Sequence, residues 1–577
     1  MKDVKIALNQ INTVTGDLDG NYQKVVNGIT KSLADGADII VFPETAITAY
    51  CVGALWDNID FIFEQEHKVK ELIKIIPYNK ALIIGYVSYH GKKPDGFPLL
   101  KNSVAVINRN KMRRYDKQLL ANADHHEDRK YFKKGKKTKV FNLELESTSI
   151  CVGIPICEDA WYTNHKRDIP EEMVKLGAEL LIVPNQSYFY YHKNDYRKTL
   201  FGSIANRFNI PVLTLNSVGI GDIVKNIIIF DGNSMIFDEN GNYVHKMDDF
   251  GEDYFVYGLS DQHIDNPPVS KGKYSEIIDA LIFEQREFFR LLGIKIAQVH
   301  ISGGVDSAIV AALEVLSMGK ENCRFITNPT NLNSSSLPMA QRVAGALGVH
   351  LYVDQLEEIA KVFKEYDTKA FGECSPQIQK EIETVSHAVG RTVQGLAATH
   401  RFQSGIVATG NHTEIVLGWA NFHDIGSIGV HMPLGDLTKL ELFEISHELN
   451  NRFGYEVIPL ELIDGTIKPA AQLPDANEDP IDYAIQSGLC AEVIRHRKTK
   501  KQLIDDFRNK NLTVDFFLPT VYENYTMDQF INEVNITLSK SRTSVFKAAQ
   551  GAPIVIVSPR SRGFSNRETL INMYKNI

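Results

Sequence analysis

Long apolar runs are missing from this chain: none approaches the roughly 18 residues a helix needs to span a bilayer, and Met1-Lys2-Asp3 leads directly into strand-like VKIALNQI. Cysteine is sparse, with six in 577 residues. Cys51, Cys151, Cys157, Cys323, Cys374 and Cys490 form no CxxC pair and no regular spacing, which excludes a disulfide framework or a cysteine zinc site and suits a reducing compartment. Basic excess is absent too, since 63 Lys and Arg face 71 Asp and Glu for a formal charge of −8. That balance, with no basic tail, excludes the electrostatic footprint of a general nucleic-acid binder. No internal repeat or low-complexity tract is evident. The expectation is a soluble, cytoplasmic protein with no nucleic-acid or membrane partner.

What is present is ordinary globular material. Hydrophobic residues make up 44% and charged residues 23%, values that exclude disordered, collagen-like and coiled-coil chains. The length suggests two to four domains at about 100 to 200 residues each. From residue 1 to 258, apolar runs such as DIIVFPE, ALIIGYVSY, TSICVGIPICED and ELLIVPNQS alternate with amphipathic stretches, predicting an α/β domain. Residues 259–272, with paired prolines, read as a linker. Residues 273–577 open with an amphipathic helix over about 273–292, then the strand KIAQVHI, a glycine-rich turn and a helix starting near Asp306. Further strand-loop-helix units predict a doubly wound parallel sheet, although beyond about residue 465 the pattern weakens.

Two places carry chemistry. Cys157 ends a buried strand-like run in GIPICEDAW, Glu44 ends another in IIVFPE, and Lys117 follows the strand pair SVAVINR and KMRRY. These three strand ends are expected to converge on one edge of the sheet. A carboxylate to take a thiol proton, a thiolate nucleophile and an ammonium for the oxyanion suffice for attack on an amide. In HISGGVDSAIVAAL, the small residues Ser302, Gly303 and Gly304 between strand and helix let the backbone approach phosphates, and Ser307 adds a hydroxyl. Asp306 cannot bind an anion directly, so its carboxylate there implies Mg2+. The lysine of a GxxxxGK[ST] loop is absent, which disfavours a kinase or motor ATPase.

The order FPE, then K with EDRKYF, then CED resembles the nitrilase (carbon-nitrogen hydrolase) superfamily. That resemblance implies an α-β-β-α sandwich, with Cys157 as nucleophile, Glu44 as general base, Lys117 as oxyanion stabiliser and Glu127 as the second glutamate that positions the reacting groups. Ser187 and Lys193 match by spacing the family's glutamine-binding serine and lysine. The glutamine-using branch usually carries a proline and a tyrosine after the lysine, where this chain has Ala121 and Ala123. SGGVDS resembles the loop of the ATP pyrophosphatases, and VATGNHTEIVLGWANFHDIGSIGVHMPLGDLTKLEL resembles a segment of the NAD synthetases, with His412 and Thr413 departing from the usual TGNKSE. By that resemblance Thr409 contacts ATP, Glu414 serves metal or substrate, and Asp424, Lys439, Arg391 and Lys547 serve deamido-NAD or the phosphates.

The two halves together resemble the glutamine-dependent NAD synthetases over nearly the whole chain. The implied substrates are glutamine, ATP and deamido-NAD, with Mg2+, a closed passage for ammonia and assembly into a homo-oligomer. Two rivals stay open at this point: an amidotransferase of the same plan acting on another carboxylate, and an amidase with a non-catalytic nucleotide-binding domain.

Overall fold

A computed structural model describes residues 3–122, 125–261, 271–329, 336–419, 423–464, 470–473, 476–478 and 481–561. The chain divides into two units, one of residues 1–223 and 228–271, the other of 224–227 and 272–577. Most of the expected linker, residues 262–270, lies outside the described residues.

The first unit is built on strands β1 Lys5–Gln10, β2 Ile39–Val41, β3 Ala81–Lys92, β4 Pro98–Asn108, β5 Lys111–Asp116, β6 Val140–Glu144, β7 Ser149–Gly153, β8 Leu180–Asn185, β9 Val212–Asn216, β10 Val218–Ile223, β11 Asn226–Asp231, β12 Met235–Phe237, β13 Tyr243–Lys246 and β14 Asp253–Gly258. One six-stranded sheet has the order β14-β1-β2-β3-β4-β5 and the other β13-β12-β9-β8-β7-β6. Alternate residues of one strand serve two cores, because side chains point to opposite faces. Ile6 and Leu8, Ile83 and Val104 face the second sheet's Val152, Leu181 and Leu213. Ala7, Ile40, Leu82 and Ile84 instead pack under helices α1 Leu18–Ala34 and α2 Ile59–Glu71, through Val25, Ile29 and Val69. Strands buried on both faces read as continuous apolar runs. Helices α3 Asp128–Tyr131, α4 Ile169–Lys175 and α5 Lys193–Phe208 complete the unit. Leu200 and Ile204 of α5 join the core of the second sheet, giving the α-β-β-α sandwich.

The second unit holds β15 Ile296–His300, β16 Cys323–Thr327, β17 Leu351–Val353 and β18 Ser404–Ile406 in the order β17-β16-β15-β18, with every pairing parallel. The order reverses between β15 and β18, and ligands of such sheets bind beyond the carboxyl ends of the strands at that reversal. Around it lie α6 Lys273–Leu292, α7 Val305–Met318, α8 Ser336–Leu347, α9 Glu357–Phe371, α10 Pro376–Phe402, α11 His412–Leu417 and α12 Lys439–Phe453. The weak pattern beyond residue 465 has a physical cause. Short α13 Leu460–Ile463 is followed by α14 Tyr483–Ile494, whose residues from Ile485 to Ile494 are all buried, so it has no amphipathic period to read.

Ile83 is fully buried between the two sheets of the first unit. Ile83→Ala is expected to cost that unit about 2–5 kcal/mol, measured by urea unfolding, and a change below about 0.5 kcal/mol would contradict the two-sheet core.

Candidate active sites

Glu44 follows β2, and its backbone lies so close to β3 that a Cβ at Gly85 would sit 2.4 Å from the Glu44 Cα. Only glycine permits that approach. The Glu44 carboxylate is fully buried. Its Oε1 accepts from Asn102 Nδ2 at 2.7 Å and from Lys117 Nζ at 2.8 Å, and its Oε2 accepts the Gln186 N–H at 2.8 Å. Lys117, 1% exposed, also pairs with Asp128 Oδ2 at 2.8 Å. Asp128 in turn accepts from the Tyr50 hydroxyl at 2.8 Å and from the Ala121 N–H at 3.2 Å. Burial alone would lower the Lys117 pKa; Asp128 and Glu44 overturn that and hold it well above the usual lysine range. Burial works against ionised Asp128, and Lys117 more than offsets it, leaving that carboxyl below its ordinary value.

Cys157 begins a 3-10 turn, Cys157–Ala160, just past β7, and its φ of 45° is left-handed, rare for a non-glycine residue. Burial, then the Glu44 charge, pushes its thiol far up, with Lys117 pulling the other way. A thiol held in this way needs a neighbouring base to take its proton before it can serve as a nucleophile. The turn is tied to the lysine loop by Asp159. Its Oδ1 accepts the Gln118 and Leu119 N–H groups at 2.9 and 2.7 Å, and its Oδ2 accepts the Tyr115 hydroxyl at 2.8 Å and the Ile156 N–H at 3.2 Å. Burial raises Asp159 to about 6.

Two expectations change here. The strand ends do not share one sheet edge: Glu44 and Lys117 extend from the first sheet and Cys157 from the second, with the charges of Glu44 and Lys117 bearing on the thiol. Glu127, expected to position the reacting groups, pairs its carboxylate with Lys130 at 3.0 Å and lines a shallow pocket with Cys51, Trp56 and Asp222. Asp128, one residue on, reaches Lys117 because it opens helix α3 facing inward, whereas Glu127 is the residue before that helix. Ser187 is buried and its N–H donates to Asn216 Oδ1 at 2.9 Å. Lys193 is buried at the start of α5 and lies 4.0 Å from the Tyr188 ring centroid. Burial and Arg197 bring its pKa down to about 7, against the pull of Asp231 and of the Cys157 and Glu158 charges. Ala123 lies outside the described residues.

In the second unit the phosphate-loop candidate follows β15. Gly303 has φ 84°, and a Cβ there would sit 2.4 Å from the Ser336 carbonyl oxygen. Ser307 Oγ donates to the Gly304 carbonyl at 3.0 Å and accepts the Ser302 N–H at 3.1 Å. Asp306, in the first turn of α7, accepts from Asn411 Nδ2 at 2.8 Å and pairs with Lys439 Nζ. Asn411 caps α11, and Glu414 completes that capping box. Lys439 is the first residue of α12, whose cap is Thr438 with Glu441. Asp306, Asn411, Glu414 and Lys439 thus form one bonded set. Thr409 stands beside the 424–427 turn, donating its N–H to the Gly426 carbonyl at 3.0 Å. Asp424 accepts two bonds from Arg391, at 3.1 and 2.8 Å. Lys547 donates to the Gly418 carbonyl at 2.6 Å, at the end of α11.

Asn102, Tyr50, Asp128, Asp159 and Asn411 were not singled out by sequence. Asp159 and Asn411 stand inside the CED and TGN strings, where a polar residue beside a reactive turn was the available signal. Asn102 offered none beyond being polar within a strand.

Residues 5–265 match the carbon-nitrogen hydrolase family and residues 287–517 the NAD synthase family. The chain is 25% identical over 523 residues to the glutamine-dependent NAD(+) synthetase of Synechocystis sp., covering 87% of this chain and 90% of that one. It is 25% identical over 585 residues to the glutamine-dependent NAD(+) synthetase of Xanthomonas campestris pv. campestris, covering 99% and 98%. In fold it matches glutamine-dependent NAD+ synthetase structures from Acinetobacter baumannii, solved with adenosine diphosphate (TM-score 0.71, 21% identity, 99% of both chains), and from Cytophaga hutchinsonii (TM-score 0.78, 16% identity, 99% and 98%). A carbon-nitrogen hydrolase domain is therefore followed, in one chain, by an NAD synthase domain. With near full-length relatives of that pairing, the chain belongs to the glutamine-dependent NAD+ synthetases.

Asp159→Ala would leave three backbone N–H groups and the Tyr115 hydroxyl without their acceptor. The expected cost is at least about 1–3 kcal/mol in urea unfolding, together with loss of amide hydrolysis; wild-type hydrolysis in this variant would refute the positioning of the Cys157 turn by Asp159.

Proposed function

We propose that Cys157, Glu44 and Lys117 hydrolyse glutamine and that the ammonia released is consumed in the second unit, where ATP adenylates deamido-NAD, giving NAD+, AMP, pyrophosphate and glutamate. The observation that carries this reading is the ammonium of Lys117 held between two buried carboxylates beside a neutral buried thiol. Glu44 takes the Cys157 proton as sulfur attacks the carboxamide carbon. Lys117 and a backbone N–H near Glu158 hold the oxyanion, each donor worth about 3–4 kcal/mol when removed. Glu44 then gives the proton to the departing nitrogen, and water, deprotonated by the same carboxylate, hydrolyses the thioester. Asp128 and Tyr50 keep Lys117 charged and aimed. Ser187 and Lys193 fit the polar end of glutamine; an amine titrating near 7 becomes cationic on meeting a carboxylate.

In the second unit, the Gly303 turn, Ser302 and Ser307 suit phosphate oxygens, and Thr409 lies on the neighbouring loop. Asp306 offers one carboxylate among cationic and amide neighbours. That suits Mg2+, which is commonly held by one or two carboxylates with substrate phosphates and water, and Glu414 is the second carboxylate of the bonded set. When bound there, Mg2+ would draw negative charge from the phosphates. Arg391, Asp424 and Lys547 are assigned to deamido-NAD, with Lys439 placed to meet phosphate once it leaves Asp306. A homo-oligomer belongs to the same reading, supported by exposed Tyr366 and Phe371 of α9. A cytoplasmic setting is supported by six cysteines of which none is in a disulfide. Among the described residues no helix is long and apolar enough to cross a membrane.

Cys157→Ala should abolish glutamine-driven NAD+ formation and leave ammonium-driven formation within about twofold, as followed by NAD+ release from deamido-NAD and ATP. Equal loss with both donors would refute the division of labour. Asp306→Asn should reduce AMP formation with either donor by about 100-fold, the scale of losing an electrostatic contact in a transition state; unchanged AMP output would remove Asp306 from the ATP site.

A further inference from the structure

Away from both sites, the second unit buries three ionisable side chains against one another. Glu284 of α6, Glu314 of α7 and His431 are each fully inaccessible to water. His431 lies on a parallel bridge to Val407, and its carbonyl accepts the Ala408 N–H, so it extends the sheet beyond β18. Its Nδ1 is 3.0 Å from Glu284 Oε1, and its Nε2 is 4.0 Å from Glu314 Oε1. Around the trio the surroundings are apolar: the Phe288 ring stacks on the imidazole with centroids 5.1 Å apart and an 8° interplanar angle, and Phe289 lies at 5.6 Å. Glu284 Oε2 and both Glu314 oxygens take no hydrogen bond among the described residues. Cys323 of β16 is a further titratable side chain bearing on Glu314, and its own thiol is pushed up by burial.

Two carboxylates facing one imidazole in such surroundings cannot both be ionised cheaply, because a single positive charge offsets only one of them. We propose that Glu284, His431 and Glu314 are a shared-proton site that holds α6, α7 and the His431 segment together, with Glu314 a neutral acid beside a charged His431–Glu284 pair. The assignment follows distance, since Glu284 is in hydrogen-bond contact with the ring and Glu314 is not. Burial pushes the Glu314 carboxyl up to about 8, with His431 pulling the other way. Burial alone would lower His431, and Glu284 overturns that and raises it.

The site joins the two segments that carry Asp306 and its partner Lys439. α7 carries Asp306 in its first turn and Glu314 two turns further on, and the strand holding His431 leads into Lys439, the partner of Asp306. The consequence for turnover rests on the ATP reading above; the proton site does not.

The sign of its pH dependence is fixed. In the unfolded chain Glu314 ionises near the ordinary glutamate value of about 4.3. In the folded chain it keeps its proton until about pH 8. Between those values the folded state binds the extra proton, so stability falls as pH rises through that window. His431 contributes in the same direction, since its stabilisation is complete below its unfolded value and is lost as pH rises through its raised folded value. Glu314→Gln keeps the shape and deletes one titration.

The test is hydrogen exchange of peptides from α6 and α7 in the full-length chain, from pH 5.5 to 7.5 in both forms, converted to local stability. The parent is expected to lose stability with a slope steeper than Glu314→Gln by about one proton. With Gln standing in for the neutral acid, the variant is then the more stable form across this range, by a margin that widens as pH rises. Equal slopes would overturn the proposal. Infrared titration of the parent decides the matter even should the variant fail to fold. A protonated buried carboxyl band that disappears with a midpoint near 8 is expected, and no carboxyl titrating in that range would overturn it. ATP turnover is not a readout, so failure here and failure of the ATP reading remain distinct.

Discussion

A lysine ammonium that is almost out of reach of water has to be neutralised where it stands. In the first unit this constraint falls on Lys117, and its answer, Glu44 on one side and Asp128 on the other, organises the surroundings. Glu44 can sit there because Gly85 lets its backbone touch β3 and because Asn102 and the Gln186 N–H take up its remaining acceptor capacity. Asp128 can sit there because Tyr50 and the Ala121 backbone hold it. Removing Lys117 would strand two buried carboxylates, which costs more than the pairing contributes. The same ammonium lies near the thiol of Cys157, so the charge balance that keeps the fold intact is also the electrostatic environment of that thiol.

The second unit solves a related problem by different means. A lysine at the first residue of a helix opposes the helix dipole, and an aspartate in a first turn favours it. Lys439 and Asp306 pair, and Asn411 bridges from Asp306 to the cap of α11. Three helix starts therefore meet at the carboxyl ends of β15 and β18, where the strand order reverses.

Much of this was legible in the sequence. Apolar runs such as IIVF and LLIVPN mark doubly buried strands, and SGGVDS marks the tight turn between β15 and α7. Strings alone could not say which of two adjacent acids faces inward. Glu127 and Asp128 are chemically alike, and the helix start at Asp128 decides between them. Sequence also could not show that Glu44 and Lys117 belong to one sheet and Cys157 to the other, since sheet membership is set by pairings between strands far apart in the chain, such as Lys5 of β1 with Gly258 of β14. Asp159 was hidden for another reason: its four bonds run mostly to backbone N–H groups, which leave no trace in residue types. The buried run of α14 carried no period because all its sides are covered.

The central claim is that one chain makes ammonia at one site and uses it at another. It is tested most directly by incubating the wild-type chain with deamido-NAD, ATP and Mg2+, supplying glutamine in one reaction and ammonium at alkaline pH in another, and measuring NAD+ and AMP together. The account predicts NAD+ and AMP in equal amounts from both nitrogen donors, with glutamate formed in step when glutamine is used. NAD+ from neither donor, or from ammonium alone, would contradict it.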